Sequence, residues 1–195
     1  VFENIYAKGM TNSVFQFESP GMKSMLTQFK PSCYEDLILL VACYRPGPMQ
    51  YLDNIIKVKS GEIPLTYKTP ELESILSKTY GAVVYQEQVM QIFQKLAGYS
   101  LGGADLVRRA MSKKKVKVLE KERKAFVFGD TDRNIDGCIK RGIDEKIANE
   151  LFDEMMDFAK YAFNKSHAAA YAVVSYQTAF LKYYYPVEFM AALMT

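Results

Sequence analysis

Apolar residues recur three and four positions apart along most of this chain, and proline or glycine interrupts each run before it grows long. Met22, Met25, Leu26 and Phe29 mark one helical face; Leu37, Leu40 and Val41 mark a second; Leu72, Ile75 and Leu76 a third. Val89, Met90, Ile92, Phe93 and Leu96 come next, and Ile147, Leu151, Phe152, Met155 and Phe158 lie on a long amphipathic helix over 144–161. Ser19 before Pro20 and Thr69 before Pro70 read as caps with proline at the first helical position. Pro31 ends the first helix. Arg45-Pro46-Gly47-Pro48 ends the second, because a residue preceding proline avoids the helical region. A short third helix is expected over 49–58, and Gly98 closes the one that begins near Gln86. The last helices span 166–184 and, after Tyr185-Pro186, the C-terminal run. Val14-Phe15-Gln16-Phe17 alternates like a short strand, and 81–85 reads as a short strand or an extended lead-in. The fold class expected is mainly α, with at most one or two short strands, and neither repeats nor low-complexity segments occur.

With 195 residues, 49% of them hydrophobic, the chain can bury a sizeable core. No apolar run approaches the ~20 residues of a membrane span, and no signal peptide is visible. Cys33, Cys43 and Cys138 form no CxxC, and one histidine beside them makes a structural zinc site a poor fit. Reduced thiols in the cytoplasm are the simplest expectation. The start at Val1 and the stop within an apolar helical run suggest a piece of a longer protein.

Residues 161–176 hold the single histidine of the chain. Asn164 and Ser166 are good helix caps, and an Ala-rich helical run comes after them. A helix starting near Ser166 or His167 directs backbone N–H groups and the positive end of its dipole forward, with Lys165 at the same end. That suits a phosphate group. An ordinary capped core helix with a hydrogen-bonded histidine accounts for the same residues. Ser166 and His167 lack the third partner of a nucleophilic triad.

The net charge of +3 is uneven: between Arg108 and Lys124 nine Lys/Arg stand against two Glu, a local +7, leaving −4 for the remainder. Such a block suits a polyanionic partner, through paired arginines gripping phosphate and lysines displacing counterions; a solvated helix face is the alternative. Asp130 and Asp132 form an Asp-x-Asp pair, but in a polar turn-rich loop, where solvation rather than metal binding is expected. The 14 Tyr and 12 Phe fall mostly at core spacing, so packing rather than base stacking is their expected role.

Several stretches together resemble the C-family of bacterial replicative DNA polymerases, the DNA polymerase III alpha subunits. They are Val14-Phe15-Gln16-Phe17-Glu18-Ser19 with Gly21-Met22, Tyr44-Arg45-Pro46-Gly47-Pro48, and Thr79-Tyr80-Gly81 with Tyr85-Gln86-Glu87-Gln88-Val89-Met90. Ala97-Gly98-Tyr99-Ser100-Leu101-Gly102-Gly103-Ala104-Asp105 and Arg108-Arg109-Ala110-Met111 come next. Phe163-Asn164-Lys165-Ser166-His167-Ala168-Ala169-Ala170-Tyr171 and Tyr185-Pro186-Val187-Glu188-Phe189-Met190-Ala191-Ala192 complete the set, in the family's order.

The resemblance implies a single multi-helix fingers domain over 1–195: an irregular lead-in at 1–20, a first helical part at 21–98, and at 99–195 the basic helices and the nucleotide-contacting helix. It implies that Arg108 and Arg109 meet the triphosphate of an incoming dNTP, that Asn164, Lys165 and Ser166 share the nucleotide-contacting motif, and that His167 excludes a ribose 2′-hydroxyl. Lys113, Lys114 and Lys115 are expected to touch DNA. The implied activity is DNA-directed DNA polymerisation by a longer polypeptide. Its Mg2+ would be held by palm aspartates whose motifs are absent here, leaving this piece without catalytic residues or activity of its own. Implied partners are template–primer DNA, the palm and thumb, and, through the longer protein, the sliding clamp and other replisome subunits. Ala162 and Ser112 depart from the family, which often has Gly at both positions. The competing reading is a non-enzymatic helical module that binds nucleic acid or protein through the basic block 108–124.

Overall fold

A computed structural model describes residues 1–45, 47–113, 116–158 and 161–195. Among these the α-helices are α1 (Pro20–Phe29), α2 (Tyr34–Cys43), α3 (Leu52–Ser60), α4 (Glu73–Leu76) and α5 (Gln86–Ala97), then α6 (Leu101–Ser112), α7 (Val116–Phe128), α8 (Glu145–Phe158), α9 (Lys165–Tyr184) and α10 (Pro186–Met194). The β structure among the described residues is two isolated bridges, Tyr85 with Phe163 and Asp130 with Ile135. The mainly α expectation holds. The chain divides into two compact units, one made of Val1–Ile63 and Lys165–Thr195, the other of Pro64–Asn164.

In the first unit α2 is the central helix. Leu37, Ile38, Leu39, Leu40, Ala42 and Cys43 are all buried, so it is covered nearly all round. Its N-terminus is held by Asp36, whose carboxylate accepts from the Ser32 N–H at 2.8 Å and the Cys33 N–H at 3.3 Å and pairs with Lys59 at 2.8 Å. Helix α9 packs on α2, and its buried residues, Ala168, Ala172, Ser175 and Ala179, form a stripe of small side chains. The buried Tyr6 hydroxyl meets Ser175 Oγ at 2.8 Å, and the Tyr34 hydroxyl donates to the Ala169 carbonyl at 2.6 Å. Helix α1 begins as expected, with Ser19 Oγ accepting from the Met22 N–H and Pro20 opening the helix.

The expected strand at 14–17 is not formed. The Val14 and Phe17 N–H groups close turns onto the Thr11 and Val14 carbonyls, and Ser13 and Gln16 take positive φ of 60° and 66°. Val14 and Phe17, three residues apart, are both fully buried while Phe15 and Gln16 are exposed, so two turns aim two side chains inward and no alternating ladder forms.

The second unit is built around the T-shaped stacking of Phe93 with Tyr99, Phe126 and Phe152, at ring-centroid distances of 5.1, 4.8 and 6.0 Å. Helices α5 to α8 each send an apolar stripe into this core: Val89, Ile92 and Leu96 from α5, Val107 and Met111 from α6, Leu119 from α7, and Leu151 and Met155 from α8. Gly98 ends α5 at φ +80°, and the Arg141 guanidinium donates to the last-turn carbonyl of Lys95 at 2.9 Å. After α7 the chain doubles back so closely that a Cβ on Gly137, at φ +79°, would lie 2.3 Å from the Gly129 nitrogen.

One local expectation does not hold. The Thr69 hydroxyl donates to the Glu71 carboxylate instead of capping a helix, and a 3-10 turn over Pro70–Leu72 precedes the four-residue α4. Asp130 lies in the expected turn-rich loop and is ion-paired there: its carboxylate accepts from Arg133 Nε at 2.7 Å, while Arg133 Nη1 reaches the buried Glu122 at 2.8 Å. The Arg133 hydrogen bonds hold the Asp130 carboxyl below its ordinary range. Glu122 also accepts from the Tyr99 hydroxyl at 3.0 Å.

Candidate nucleotide-contacting residues

The six candidate nucleotide contacts divide between the units. Arg108, Arg109 and Asn164 belong to the second; Lys165, Ser166 and His167 open α9 in the first.

Helix α6 starts at Ser100, whose Oγ accepts from the Gly103 N–H at 3.1 Å. Ala104, Val107, Ala110 and Met111 are its buried face, which turns Asp105, Arg108 and Arg109 to the other side. One carboxylate serves both arginines. Arg108 donates from Nε and Nη2 to Asp105 Oδ1 at 3.0 and 2.7 Å, and Arg109 Nε reaches Asp105 Oδ2 at 2.7 Å. Arg108 also donates from Nη1 to Gln86 Oε1 at 3.0 Å. Its side chain is only 17% exposed, against 63% for Arg109. The arginines thus differ: Arg108 is held by two partners with its plane fixed, and Arg109 offers most of its guanidinium to solvent. The Arg108 hydrogen bonds hold the Asp105 carboxyl below its ordinary range.

The stretch before α9 is fastened to the start of α5. Phe163 N–H donates to the Val84 carbonyl at 3.0 Å, Gln86 N–H to the Phe163 carbonyl at 2.9 Å, and Asn164 Nδ2 to Glu87 Oε1 at 3.0 Å. Gln88, buried just beyond, accepts from the Val84 and Tyr85 N–H groups at 2.8 and 2.9 Å and donates to Thr79 Oγ1 at 2.8 Å. This amide sets the angle at which α5 begins. The polar Tyr85–Gln88 stretch, silent on its own in sequence, is therefore a clasp between α5 and the 162–164 segment.

In the first unit α9 starts one residue before the expected point, so Lys165, Ser166 and His167 are its first turn. First-turn N–H groups of a helix point out along the axis, at the positive end of the dipole. Lys165 Nζ pairs with Glu35 Oε2 at 3.0 Å, with both side chains 36% exposed. The cation expected at this helix end is thus already ion-paired. Ser166 and His167 are exposed. The His167 ring lies against Tyr171, one turn on, at a centroid distance of 4.3 Å.

The basic block is less of a single surface than its count of charges implies. Arg123 pairs with Asp153 and lies over the Phe152 ring at 4.6 Å, so it belongs to the α7–α8 packing. Lys117, Lys121 and Lys124 are not among the buried residues of α7. Lys113 is exposed at the C-terminal end of α6, where a cation suits the helix dipole. Lys114 and Lys115 lie outside the described residues.

Asp105, Gln86, Glu87 and Glu35 are site neighbours that the sequence does not single out. Asp105 carries a usable signal, an acid three and four residues ahead of two arginines. The others carry none, because their partners are remote in the chain.

A mainly helical chain with paired arginines on one helix and a polar turn opening another is the class this geometry defines. The family model of the bacterial DNA polymerase III alpha subunit finger domain matches residues 1–134. The chain is 51% identical over 189 residues to the DNA polymerase III subunit alpha of Treponema pallidum (strain Nichols), covering 97% of this chain and 16% of that one. It is 50% identical over 199 residues to that of Pseudomonas aeruginosa and 47% identical over 189 residues to that of Halalkalibacterium halodurans, again spanning 16% of each relative's length. The chain belongs to the bacterial DNA polymerase III alpha subunit finger domain family.

Proposed function

We propose that this chain contacts the incoming deoxynucleoside triphosphate and template–primer DNA during DNA-templated nucleotidyl transfer by a replicative polymerase. The observation that carries this is the arginine pair of α6: an oriented Arg108 beside a solvent-facing Arg109, both held by Asp105. A guanidinium fork matches phosphate oxygens bidentately, and here its orientation is set before any ligand arrives.

The primer 3′-hydroxyl would attack the α-phosphorus, the bond to the bridging oxygen would break, and pyrophosphate would leave. Arg108 and Arg109 would neutralise charge growing on the leaving side. In the other unit, Lys165 released from Glu35 and the first-turn N–H groups of α9 would offer a seat for phosphate in their own right. His167, exposed in the first turn, would stand against the sugar and disfavour a 2′-hydroxyl. Lys113, Lys114 and Lys115 would meet DNA phosphates.

Among the described residues, no group of three or more His, Cys, Asp or Glu could hold a metal ion. The Asp130 carboxylate is moreover committed to Arg133. These residues do not fit the Mg2+ of polymerase chemistry, which belongs in this reading to palm aspartates of the longer polypeptide; the chain alone would then be inactive. The palm, the thumb, the sliding clamp and other replisome subunits would be its partners, in the cytoplasm. Among the described residues no helix is long and apolar enough to cross a membrane.

In the full-length polymerase, Arg109→Ala is expected to lower kcat/KM for a templated dNTP on the order of 10²-fold, as loss of a preorganised charge contact does. His167→Ala is expected to raise the ratio of ribonucleotide to deoxynucleotide incorporation. Normal kinetics in Arg109→Ala, with DNA binding weakened only by Lys113→Glu, would leave a module that binds nucleic acid through its lysines and has no part in nucleotide selection.

A further inference from the structure

We infer that Gln86, the first residue of α5, is a positioning residue for nucleotide binding: it holds the Arg108 guanidinium and the backbone leading to Asn164 in one register. This rests on the nucleotide-contacting reading of Arg108, Arg109 and Asn164.

The Gln86 amide is used at both ends. Its Oε1 accepts from Arg108 Nη1 at 3.0 Å, and its Nε2 donates to the Ala162 carbonyl at 3.1 Å. Its backbone N–H donates to the Phe163 carbonyl at 2.9 Å, and the next residue, Glu87, receives Asn164 Nδ2 at 3.0 Å. One turn of α5 therefore grips two groups of candidate residues that are far apart in sequence. The chemistry requires an amide: one acceptor toward the arginine and one donor toward a carbonyl. A carboxylate supplies only acceptors and a lysine only donors. Asp105 fixes Arg108 from one side through Nε and Nη2, and Gln86 fixes it from the other. Without Gln86 the guanidinium keeps a single carboxylate as its anchor and can turn about it.

The test is single-nucleotide primer extension by the full-length polymerase carrying Gln86→Leu, Gln86→Glu, Arg108→Ala, Arg109→Ala or the Gln86→Leu/Arg108→Ala pair. Gln86→Leu is expected to lower kcat/KM for dNTP about tenfold, the scale of one hydrogen bond to a charged group. The double variant should fall well short of the product of the two single losses, because the Gln86 side chain acts in part through that arginine. Gln86→Glu keeps the acceptor toward Arg108 but loses the donor toward the Ala162 carbonyl, so it should lose less kcat/KM than Gln86→Leu without matching the parent. Near-normal kinetics in Gln86→Leu, or losses that multiply in the double variant, would overturn the inference. Should Gln86→Leu fail to fold, Gln86→Glu decides it: a loss as large as that of Arg108→Ala overturns it. Normal Arg109→Ala kinetics would instead overturn the underlying nucleotide reading, whereas an impaired Arg109→Ala beside a normal Gln86→Leu removes only the role of Gln86.

Discussion

Arg108 sends two N–H groups to the same oxygen of Asp105, at 3.0 and 2.7 Å, while the neighbouring Arg109 takes the other oxygen at 2.7 Å. A single acid thus sets the direction of one arginine and tethers a second that remains largely in solvent.

Lysine cannot reproduce a planar fork that serves Asp105 and Gln86 together. Arg108→Lys should therefore lose nearly as much kcat/KM for dNTP as Arg108→Ala, about tenfold or more, although the charge is kept. Primer extension at varied dNTP concentration checks this.

Acid stability should depend on Asp136. Hydrogen bonds from Lys140 and Arg141 hold its carboxyl below the ordinary range. A folded-state pKa below the unfolded one gives stability that is present above the usual carboxylate value of about 3.9 and disappears as pH falls through the folded value. Thermal melts of the chain between neutral and strongly acid pH should fall away more steeply below about pH 4 than those of Asp136→Asn.

Phe93 stacks on Tyr99, Phe126 and Phe152 and is fully buried. Phe93→Ala should cost about 3–5 kcal/mol, measured by urea denaturation. The unfolding of the second unit should carry that loss.

Burial pushes the Cys43 and Cys138 thiols up to about 12, whereas Cys33 is exposed. Thiolate is the reactive form. Titration with a thiol reagent at neutral pH should count one fast group in the native chain and reach all three only in denaturant.

Helix positions were legible wherever a local signal had a local cause. Ser19 with Pro20 and Gly98 act as their residue types suggest. Val14–Phe17 misled because an apolar alternation in sequence need not be an alternation of burial: consecutive turns bury Val14 and Phe17, with positive φ at Ser13 and Gln16, residues that do not advertise it. Thr69 misled because its hydroxyl found a carboxylate two residues on. The surroundings of the candidate residues were the least legible part. A count of +7 cannot reveal that Arg108 and Arg109 face Asp105 or that Arg123 faces Asp153. Nor can one sequence show that Lys165 meets Glu35, or that the chain after 164 rejoins the unit that 1–63 began.

That return has a consequence for synthesis. Helix α2 ends at Cys43, and its packing partner α9 begins only at Lys165, after the whole second unit has been made. At about 5–20 residues per second, residues 44–164 take roughly 6–24 s. During that interval a helix apolar on nearly every side waits without its cover, while the contiguous second unit has all its residues at hand. The unit that the chain starts first is therefore the one it completes last, and α2 is the surface most in need of protection on the nascent polypeptide.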